Sequence, residues 1–391
     1  MTNLLVKLFV KNSDDIFNPN VRKSYGTLSG GVGIFCNLIL FCTKLLAGIF
    51  SGAISVIADA FNNLSDAASS IITIIGFKLA DKPADNDHPY GHGRYEYLSG
   101  LLIALLIIIT AFELFKTSVD KILNPENVVF SLFSLIILIL SICVKMWMAL
   151  FNKKIGNKLN ASAMIATATD SLSDCVATGA VLISLVISLI FKINIDGYAG
   201  ILVALFVLKA GIDAANDTLK PLLGQAPDPA FVRELEKDIL EGGKIKGVHD
   251  MHIHDYGPGR VIVSLHAEIP ASMNVMEAHD IIDSTEEKIK KKHKCDISIH
   301  MDPIETENEA INNLKNIVAD IIRGINPALN FHDFRITNGP ERTNIIFDIE
   351  VPFGFKMNDN DIINKISDEV KKINSNYYVV AKVDKVVVNE N

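Results

Sequence analysis

The sequence predicts an α-helical membrane protein with six transmembrane helices, followed by a cytoplasmic α+β domain that is duplicated at the C-terminus. Apolar stretches, an uneven distribution of charge and a repeated strand–helix pattern support this prediction. Of the 391 residues, 49% are hydrophobic. Residues 1–222 carry 17 Lys and Arg and 16 Asp and Glu, whereas residues 223–391 carry 20 and 29. This composition excludes a simple soluble enzyme, a disordered chain and a basic nucleic-acid binder.

Six stretches of the first half are long enough to cross a bilayer, which takes about 20 largely apolar residues. They cover residues 28–52, 53–79, 98–115, 128–151, 161–191 and 197–222. We therefore expect four regions along the chain. They are a cytoplasmic tail at 1–25, a transmembrane domain at 26–222, a cytoplasmic domain at 223–305 and a second, degenerate repeat at 306–391.

Lysine and arginine mark the cytoplasmic side of a membrane protein. One side of the predicted spans carries Lys7, Lys11, Arg22, Lys23, Lys82, Arg94, Lys153, Lys154 and Lys158. The other side carries Lys116, Lys121 and Lys192. We therefore expect a multi-pass protein of the inner or plasma membrane, in contact with the lipid bilayer, with both termini in the cytoplasm.

Two of the stretches contain oxygen-bearing side chains where these are costly. Asn62 and Asp66, and likewise Asp170 and Asp174, are separated by four residues, so each pair lies on one helix face. Asp59 lies a turn before Asn62 and is expected to line the access path. A central carboxylate costs about 2.5–3.5 kcal/mol, and no Arg or Lys lies at matching depth in these two helices. A divalent cation or protons are then expected to compensate; the alternative is protonated acids that hydrogen-bond between helices.

The expected transport site, formed by Asn62, Asp66, Asp170 and Asp174, contains only oxygen ligands. Zinc prefers nitrogen and sulfur ligands, while carboxylate and carbonyl oxygens suit Mn²⁺, Mg²⁺ or Ca²⁺. Mn²⁺ is therefore the first choice, with Fe²⁺ as an alternative.

Several segments together carry a family resemblance. They are SGAISVIADAFNNLSDAASS, DNDHPYGHGRYE, ATATDSLSDCVATGA, GVHDMHIHDYGPGRVIVSLHAEI and ISIHMDP. Over residues 28–303 the chain resembles the cation diffusion facilitator family. The resemblance implies a homodimeric divalent-metal/proton antiporter with six transmembrane helices and a cytoplasmic ferredoxin-like domain. The Asn/Asp plus Asp/Asp quartet resembles the manganese-exporting branch.

A polar loop between the second and third stretches matches the family's loop metal site. Asp85, His88 and His92 fall within eight residues, which is within the reach of a small binding loop. The alternative is a solvated polar loop. Arg94 matches the basic position that is thought to tie the membrane dimer together.

The family's cytoplasmic metal positions fall on His249, His266, His279, His300 and Asp302. This match implies a structural divalent metal in the cytoplasmic domain, whereas the alternative is a set of solvated histidines. His252 and His254 are interpreted as solvated strand residues. The predicted elements are helices at 231–240 and 275–292 and strands at 248–256, 260–269 and 296–301, an αββαβ order.

The segment GVHDMHIHDYGPGRVIVSLHAEIP recurs as NFHDFRITNGPERTNIIFDIEVP at an offset of 82 or 83 residues. A fixed offset predicts a duplicated unit, here a second ferredoxin-like lobe with helices at 309–323 and 359–373. Its ligand positions have changed, since Asp348, Asn360 and Lys382 stand where the first lobe has His266, His279 and His300. We interpret this lobe as structural, partner-binding or dimer-extending, without a metal of its own.

The second lobe shows no nucleophile–base or phosphate-loop motif, so an independent enzyme is not expected there. No catalytic residues are assigned, and the chain is not expected to be an enzyme. The favoured function is export of Mn²⁺ from the cytoplasm in exchange for protons by alternating access. The alternatives are an exporter of Zn²⁺, Fe²⁺ or Co²⁺ and a membrane-anchored metal sensor. Expected partners are divalent metal ions, protons and a second copy of the chain, and no nucleic acid is expected.

Overall fold

The computed structural model describes residues 2–51, 54–124, 132–191, 195–339 and 342–386. The chain forms two compact units. The helical unit contains Met1–Gln225 together with the short segment Asp255–Arg260. The two-lobed unit contains Ala226–His254 and Val261–Asn391.

Long helices dominate the helical unit. After α1 (Thr2–Phe9), the described residues form α2 (Pro19–Ser51), α3 (Ile54–Ala80), α4 (Tyr95–Leu123), α5 (Leu132–Leu159), α6 (Ser162–Phe191) and α7 (Asp196–Leu223). Within the described residues, four segments are long and apolar enough to cross a membrane, namely Pro19–Leu46, Tyr95–Leu123, Leu135–Leu159 and Gly197–Leu223. The helices extend beyond several predicted stretches, because polar turns continue the same backbone. Residues 52–53 and 128–131 of those stretches lie outside the described residues.

Small residues let α2 and α3 approach closely. A Cβ atom on Gly30 would lie 2.3 Å from Ile74, and one on Gly33 would lie 2.1 Å from the hydroxyl of Ser70. Close approach through small residues is a common way for membrane helices to associate, since burial of apolar surface drives little between helices in lipid. This contact fixes the helix that carries Asp66.

A buried ion pair joins three of the helices at one end. Arg22 of α2 donates two hydrogen bonds to the carboxylate of Glu96 of α4, at 2.6 and 2.8 Å. The same guanidinium donates to the carbonyl of Leu159, the last residue of α5, at 2.7 Å. Both charged side chains are almost fully buried. Since removing one partner of a buried pair typically costs about 3–5 kcal/mol, we expect this contact to hold the helix ends in register.

The two-lobed unit contains two α+β lobes. The first lobe comprises α8 (Pro229–Leu240), β1 (Gly247–Asp255), β2 (Val261–Pro270), α9 (Val275–His293) and β3 (Asp296–Ile304). The second comprises α10 (Glu309–Ile325), β4 (Asn330–Asn338), β5 (Thr343–Pro352), α11 (Asp359–Ile373) and β6 (Tyr377–Val386). The sheets have the orders β1-β2-β3 and β4-β5-β6. Each helix begins after an Asp or Asn whose side chain accepts a backbone N–H of the first turn, which is the preferred N-cap arrangement.

Each lobe has its own apolar core, formed where alternate strand residues face its helices. In β2 the buried residues are Val263, Leu265, Ala267 and Ile269, and in β5 they are Ile345, Phe347, Ile349 and Val351. This alternation is the period-2 pattern of a strand with one buried face.

Polar positions on the strands also correspond between the lobes. The parallel pairing of β2 with β3 places His266 opposite His300, and that of β5 with β6 places Asp348 opposite Lys382. Asp250 and Asp333 each follow a histidine and adopt a left-handed backbone, with φ of +50° and +54°. Asp is among the few side chains that tolerate this conformation.

Candidate metal centres

Two of the expected transport-site carboxylates meet on a lysine inside the helical unit. Lys145 of α5 donates hydrogen bonds of 2.7 Å to Asp66 of α3 and to Asp174 of α6. The lysine side chain is only 4% exposed, and the two carboxylates are 19% and 26% exposed. Asp170 lies within electrostatic range of all three residues. The structure thus brings two of the four expected ligands onto one ammonium group, with a third interacting electrostatically with them.

Lys145 corrects one expectation from the sequence. Because α3 and α6 carry no Arg or Lys at the depth of the carboxylates, we expected a divalent cation or protons to compensate their charge. Lys145 reaches them from a neighbouring helix, so a metal or protons are not the only source of compensating charge. A signal was available, since a lysine in the apolar run around ICVKMWM is costly in a membrane and marks a functional site by default. Lys44 of α2 is a second buried lysine, and its charge also acts on Asp66.

The other two residues expected at the transport site or its access path, Asn62 and Asp59, make no described contact with the carboxylates. Asn62 lies one turn before Asp66 but is exposed, and no hydrogen bond among the described residues includes it. Asp59 belongs to α3, but its side chain lies outside the described part of the chain. About two helical turns along α3 from Asp66, the hydroxyl of Thr73 lies 3.0 Å from that of Thr167 and joins α3 to α6.

The loop residues Asp85, His88 and His92 form a compact group, with one ligand atom from each within 4.8 Å of the others. An oxygen of Asp85 lies 3.3 Å from Nδ1 of His88, and the other lies 3.4 Å from Nε2 of His92. Nδ1 of His92 faces the carbonyl of Pro83 at 3.0 Å, which leaves its Nε2 for a ligand role. The backbone N–H of His88 is the main cause that lowers the pKa of Asp85. The group can therefore present one carboxylate and two imidazoles to a cation.

Arg94 makes contacts within its own chain. Its guanidinium donates to the carbonyl of Asp255 at 2.9 and 3.2 Å and lies 4.6 Å from the ring centre of Tyr256. These partners belong to the segment Asp255–Arg260 of the helical unit. Its predicted dimer contact stays a prediction.

Four of the five predicted cytoplasmic ligands meet in the first lobe. Oδ2 of Asp302 lies 3.2 Å from His249 and 2.8 Å from His266, and Oδ1 lies 3.3 Å from His300. His279 is exposed on α9 and does not join this group. Burial lowers the pKa of His249, and the neighbouring His332 lowers it further, so this ring favours the neutral form that binds metals.

The sequence interpretation missed one neighbour of His249. His332, from the second lobe, stacks on His249 with ring centres 4.1 Å apart. The repeated His-Asp dipeptide was recognised as a mark of duplication, but nothing in the sequence indicated that its two copies face each other. His252 and His254 are exposed, as expected of solvated strand residues.

Another acidic group, formed by Glu234, Asp238 and His293, is paired with a lysine side chain. Lys292 and His293 each approach Asp238 to 2.6 Å. The hydrogen bond from Lys292 is the main cause that lowers the pKa of Asp238. We interpret this group as a surface ion-pair network.

Comparison with known proteins supports the metal-handling interpretation of these groups. Residues 32–223 match the cation efflux transmembrane domain, and residues 227–304 match the cytoplasmic domain of cation efflux proteins. An uncharacterized transporter of Methanocaldococcus jannaschii is 35% identical over 275 residues, which cover 70% of this chain and 97% of the relative. The chain belongs to the cation diffusion facilitator family of metal transporters.

Two further relatives are named for an activity. The cation-efflux pump FieF of Shewanella oneidensis is 28% identical over 281 residues, covering 72% of this chain and 95% of the pump. The manganese efflux system protein MneS of Bacillus subtilis is 26% identical over 280 residues, covering 70% and 94%. As a member of this family, the protein is a multi-pass membrane transporter of metal ions and not an enzyme. The matched domains end at residue 304, before the second lobe begins.

Proposed function

We propose that the protein exports Mn²⁺ from the cytoplasm and exchanges it for protons by alternating access. The observation that carries this proposal is the ammonium of Lys145 held between Asp66 and Asp174, with Asp170 close enough to interact electrostatically with all three. Carboxylate and amide oxygens suit Mn²⁺ better than Zn²⁺. The manganese efflux protein of Bacillus subtilis among the relatives supports the same cargo.

In this proposal Lys145 alternates with the metal. Counted with Lys145 alone, the three carboxylates carry a formal charge of −2, which one divalent ion balances. An arriving ion takes the oxygens that Lys145 occupies, and the ammonium moves aside. Asn62, one turn before Asp66, adds a neutral amide oxygen, and Asp59 lines the approach. Protons take the place of the ion on the carboxylates for the return step.

We also propose that α2–α7 are six membrane spans and that both termini lie in the cytoplasm. The even number of helices and the Lys and Arg bias of the connections support this orientation. The second lobe is proposed to be a duplicate of the first. Their common strand order, their matching register and the left-handed aspartate after each histidine support duplication.

A homodimer is proposed as the working form, with Arg94 near the contact between membrane domains. The match of residues 227–304 to the family's cytoplasmic domain supports dimerisation. The loop group and the first-lobe group are proposed as accessory metal sites.

One observation favours a second cargo. The loop residues Asp85, His88 and His92 offer two imidazoles, which suit Zn²⁺, Fe²⁺ or Co²⁺ better than Mn²⁺. The second candidate is therefore an exporter of one of these ions. A membrane-anchored metal sensor is less favoured, since a sensor has no need for buried carboxylates among its membrane helices.

Transport by purified protein in sealed vesicles tests the proposal. Mn²⁺, Zn²⁺, Fe²⁺, Co²⁺ and Cd²⁺ are supplied side by side, with the internal pH recorded. We expect the highest rate for Mn²⁺, accompanied by proton movement in the opposite direction. Accumulation that is indifferent to the pH gradient would contradict proton exchange, and a higher Zn²⁺ rate would favour the second cargo.

A further inference from the structure

Two histidines from different lobes lie face to face in the two-lobed unit. His249 is the third residue of β1, and His332 is the third residue of β4. Their rings are stacked with an interplanar angle of 25°. The side chains are 4% and 7% exposed, so both imidazoles are removed from solvent.

The ring nitrogens of this stacked pair make no hydrogen bonds within the described part of the chain, although Nε2 of His249 lies 3.2 Å from Asp302 of the first-lobe group. Both ring nitrogens of His249 and both of His332 are buried without a hydrogen bond among the described residues. Oδ2 of Asp384, 3.9 Å from His332, is in the same condition. A buried polar atom left unsatisfied typically costs about 1–3 kcal/mol. Four such nitrogens in one place therefore indicate a ligand that the protein chain itself does not provide.

One carboxylate lies close to a nitrogen of each ring. Oδ2 of Asp250 is 3.6 Å from Nδ1 of His249, and Oδ1 of Asp250 is 3.7 Å from Nε2 of His332. The three residues each present a ligand atom within 4.8 Å of the others. A tetrahedral ion with bonds of about 2.1 Å holds its ligands about 3.4 Å apart. These donor separations are close to that value.

The geometry points to a divalent-cation site shared by the two lobes of one chain, with His249, Asp250 and His332 as its ligands. Two imidazole nitrogens and one carboxylate favour Zn²⁺ or Co²⁺, since these ions prefer nitrogen donors more than Mn²⁺ does. The site therefore differs in chemistry from the oxygen-only transport cluster. It shares His249 with the first-lobe group, whose Asp302 faces Nε2 while Asp250 faces Nδ1, but its other ligands, Asp250 and His332, are not members of that group.

The second lobe contributes a ligand without forming an equivalent site of its own. On its side Lys382 pairs with Asp384 at 2.7 Å, and Asp348 stands where the first lobe has His266. An ammonium thus balances the carboxylate that would otherwise attract a second ion. The shared ion joins β1 to β4, so the pairing of the lobes becomes dependent on metal.

Zinc binding by the full-length chain in detergent tests the proposal. Equivalents of bound Zn²⁺ are counted by equilibrium dialysis, and Co²⁺ absorption reports the ligand set. We expect His332→Ala to lose one equivalent, or to weaken it about tenfold or more, since even outer partners of a metal ligand contribute about that much. His254→Ala, an exposed histidine of the same strand as His249, is the matched control and should bind as the parent does.

A second pair of variants guards against misfolding of His332→Ala. Asn accepts the left-handed backbone of Asp250 and Asp333, so Asp250→Asn and Asp333→Asn keep the strand geometry. We expect the first to lose the shared ion and the second, whose carboxylate pairs with Arg335, to retain it. Parent stoichiometry and affinity in both His332→Ala and Asp250→Asn would overturn the proposal and leave buried water as the partner of these nitrogens.

Discussion

The carboxylate cluster of the helical unit and the histidine pair of the two-lobed unit differ in whether the protein supplies hydrogen-bond partners for their polar atoms. Asp66 and Asp174 share a cation supplied by the chain, with Lys145 at 2.7 Å from each. His249 and His332 have no hydrogen-bond partner among the described residues. A buried group with its own counter-ion can exist without metal, and a transport cycle requires such a metal-free state. A group without one is completed by the ligand it holds.

Removing a carboxylate from the cluster gives the largest expected effect. Asp66→Ala, Asp170→Ala or Asp174→Ala takes away a charged ligand and leaves Lys145 with too few partners. We expect Mn²⁺ transport in vesicles to fall by roughly a hundredfold or more, because loss of a buried charge partner costs about 3–5 kcal/mol. Glu113→Ala, at an exposed position of α4, should keep the parent rate. A carboxylate variant that transports normally would remove that residue from the site.

Removing the counter-ion makes the carboxylate cluster resemble the unpaired histidine group. In Lys145→Gln the three carboxylates have no ammonium, so they hold a metal ion more tightly and release it more slowly. We expect the transport rate to fall by about tenfold or more while Mn²⁺ affinity in detergent increases, since one partner of a buried pair is lost. Lys116→Gln, on an exposed part of α4, is the control. Weaker binding in Lys145→Gln would show instead that the lysine supports the site sterically.

Exchanging one oxygen ligand for nitrogen tests whether ligand type determines the cargo. Asn62→His places an imidazole one turn before Asp66, and imidazole favours Zn²⁺ over Mn²⁺. We expect the Mn²⁺/Zn²⁺ rate ratio to fall several-fold at matched expression. Asn62→Ala should lower both rates by similar factors. Because Asn62 is exposed in this structure, an unchanged ratio would remove it from the ligand set.

The second lobe tested alone should give the smallest signal. Residues 306–391 contain their own core and include His332, but His249 and Asp250 are absent from them. We expect no micromolar binding of Mn²⁺ or Zn²⁺ by calorimetry. Clear stoichiometric binding would contradict the prediction and would indicate a metal site built on Asp348 and Asp384.

The sequence predicted the elements better than it predicted their contacts. The helix expected at 359–373 is α11 (Asp359–Ile373), and the strands of the first lobe begin within one residue of their predicted starts. Such elements follow from local periodicity and caps, which a single sequence contains. The repeat at an offset of 82 or 83 residues was likewise visible, since matching residues can be aligned by eye.

The partners of Lys145 and His332 could not be predicted in the same way. Lys145 is 79 residues from Asp66, and His332 is 83 residues from His249. Which helix faces of α3, α5 and α6 meet, and which edges of two lobes meet, depends on packing across the whole chain. His279 shows the reverse case, in which a residue matched the family pattern but lies exposed, away from the other four.

The positive charge of Lys145 affects how the membrane potential acts on the proposed exchange. In the proposed exchange, the three carboxylates and Lys145 are neutral with a divalent ion bound and neutral again with two protons bound, so both forms that cross the membrane would have the same charge. We therefore expect a carrier that is insensitive to the membrane potential and driven by the proton concentration difference alone. A potassium diffusion potential of either sign, imposed on vesicles at a fixed pH gradient, should leave the initial rate of Mn²⁺ transport unchanged. In Lys145→Gln, exchange for two protons would move a form with one extra negative charge, and the rate should become dependent on voltage.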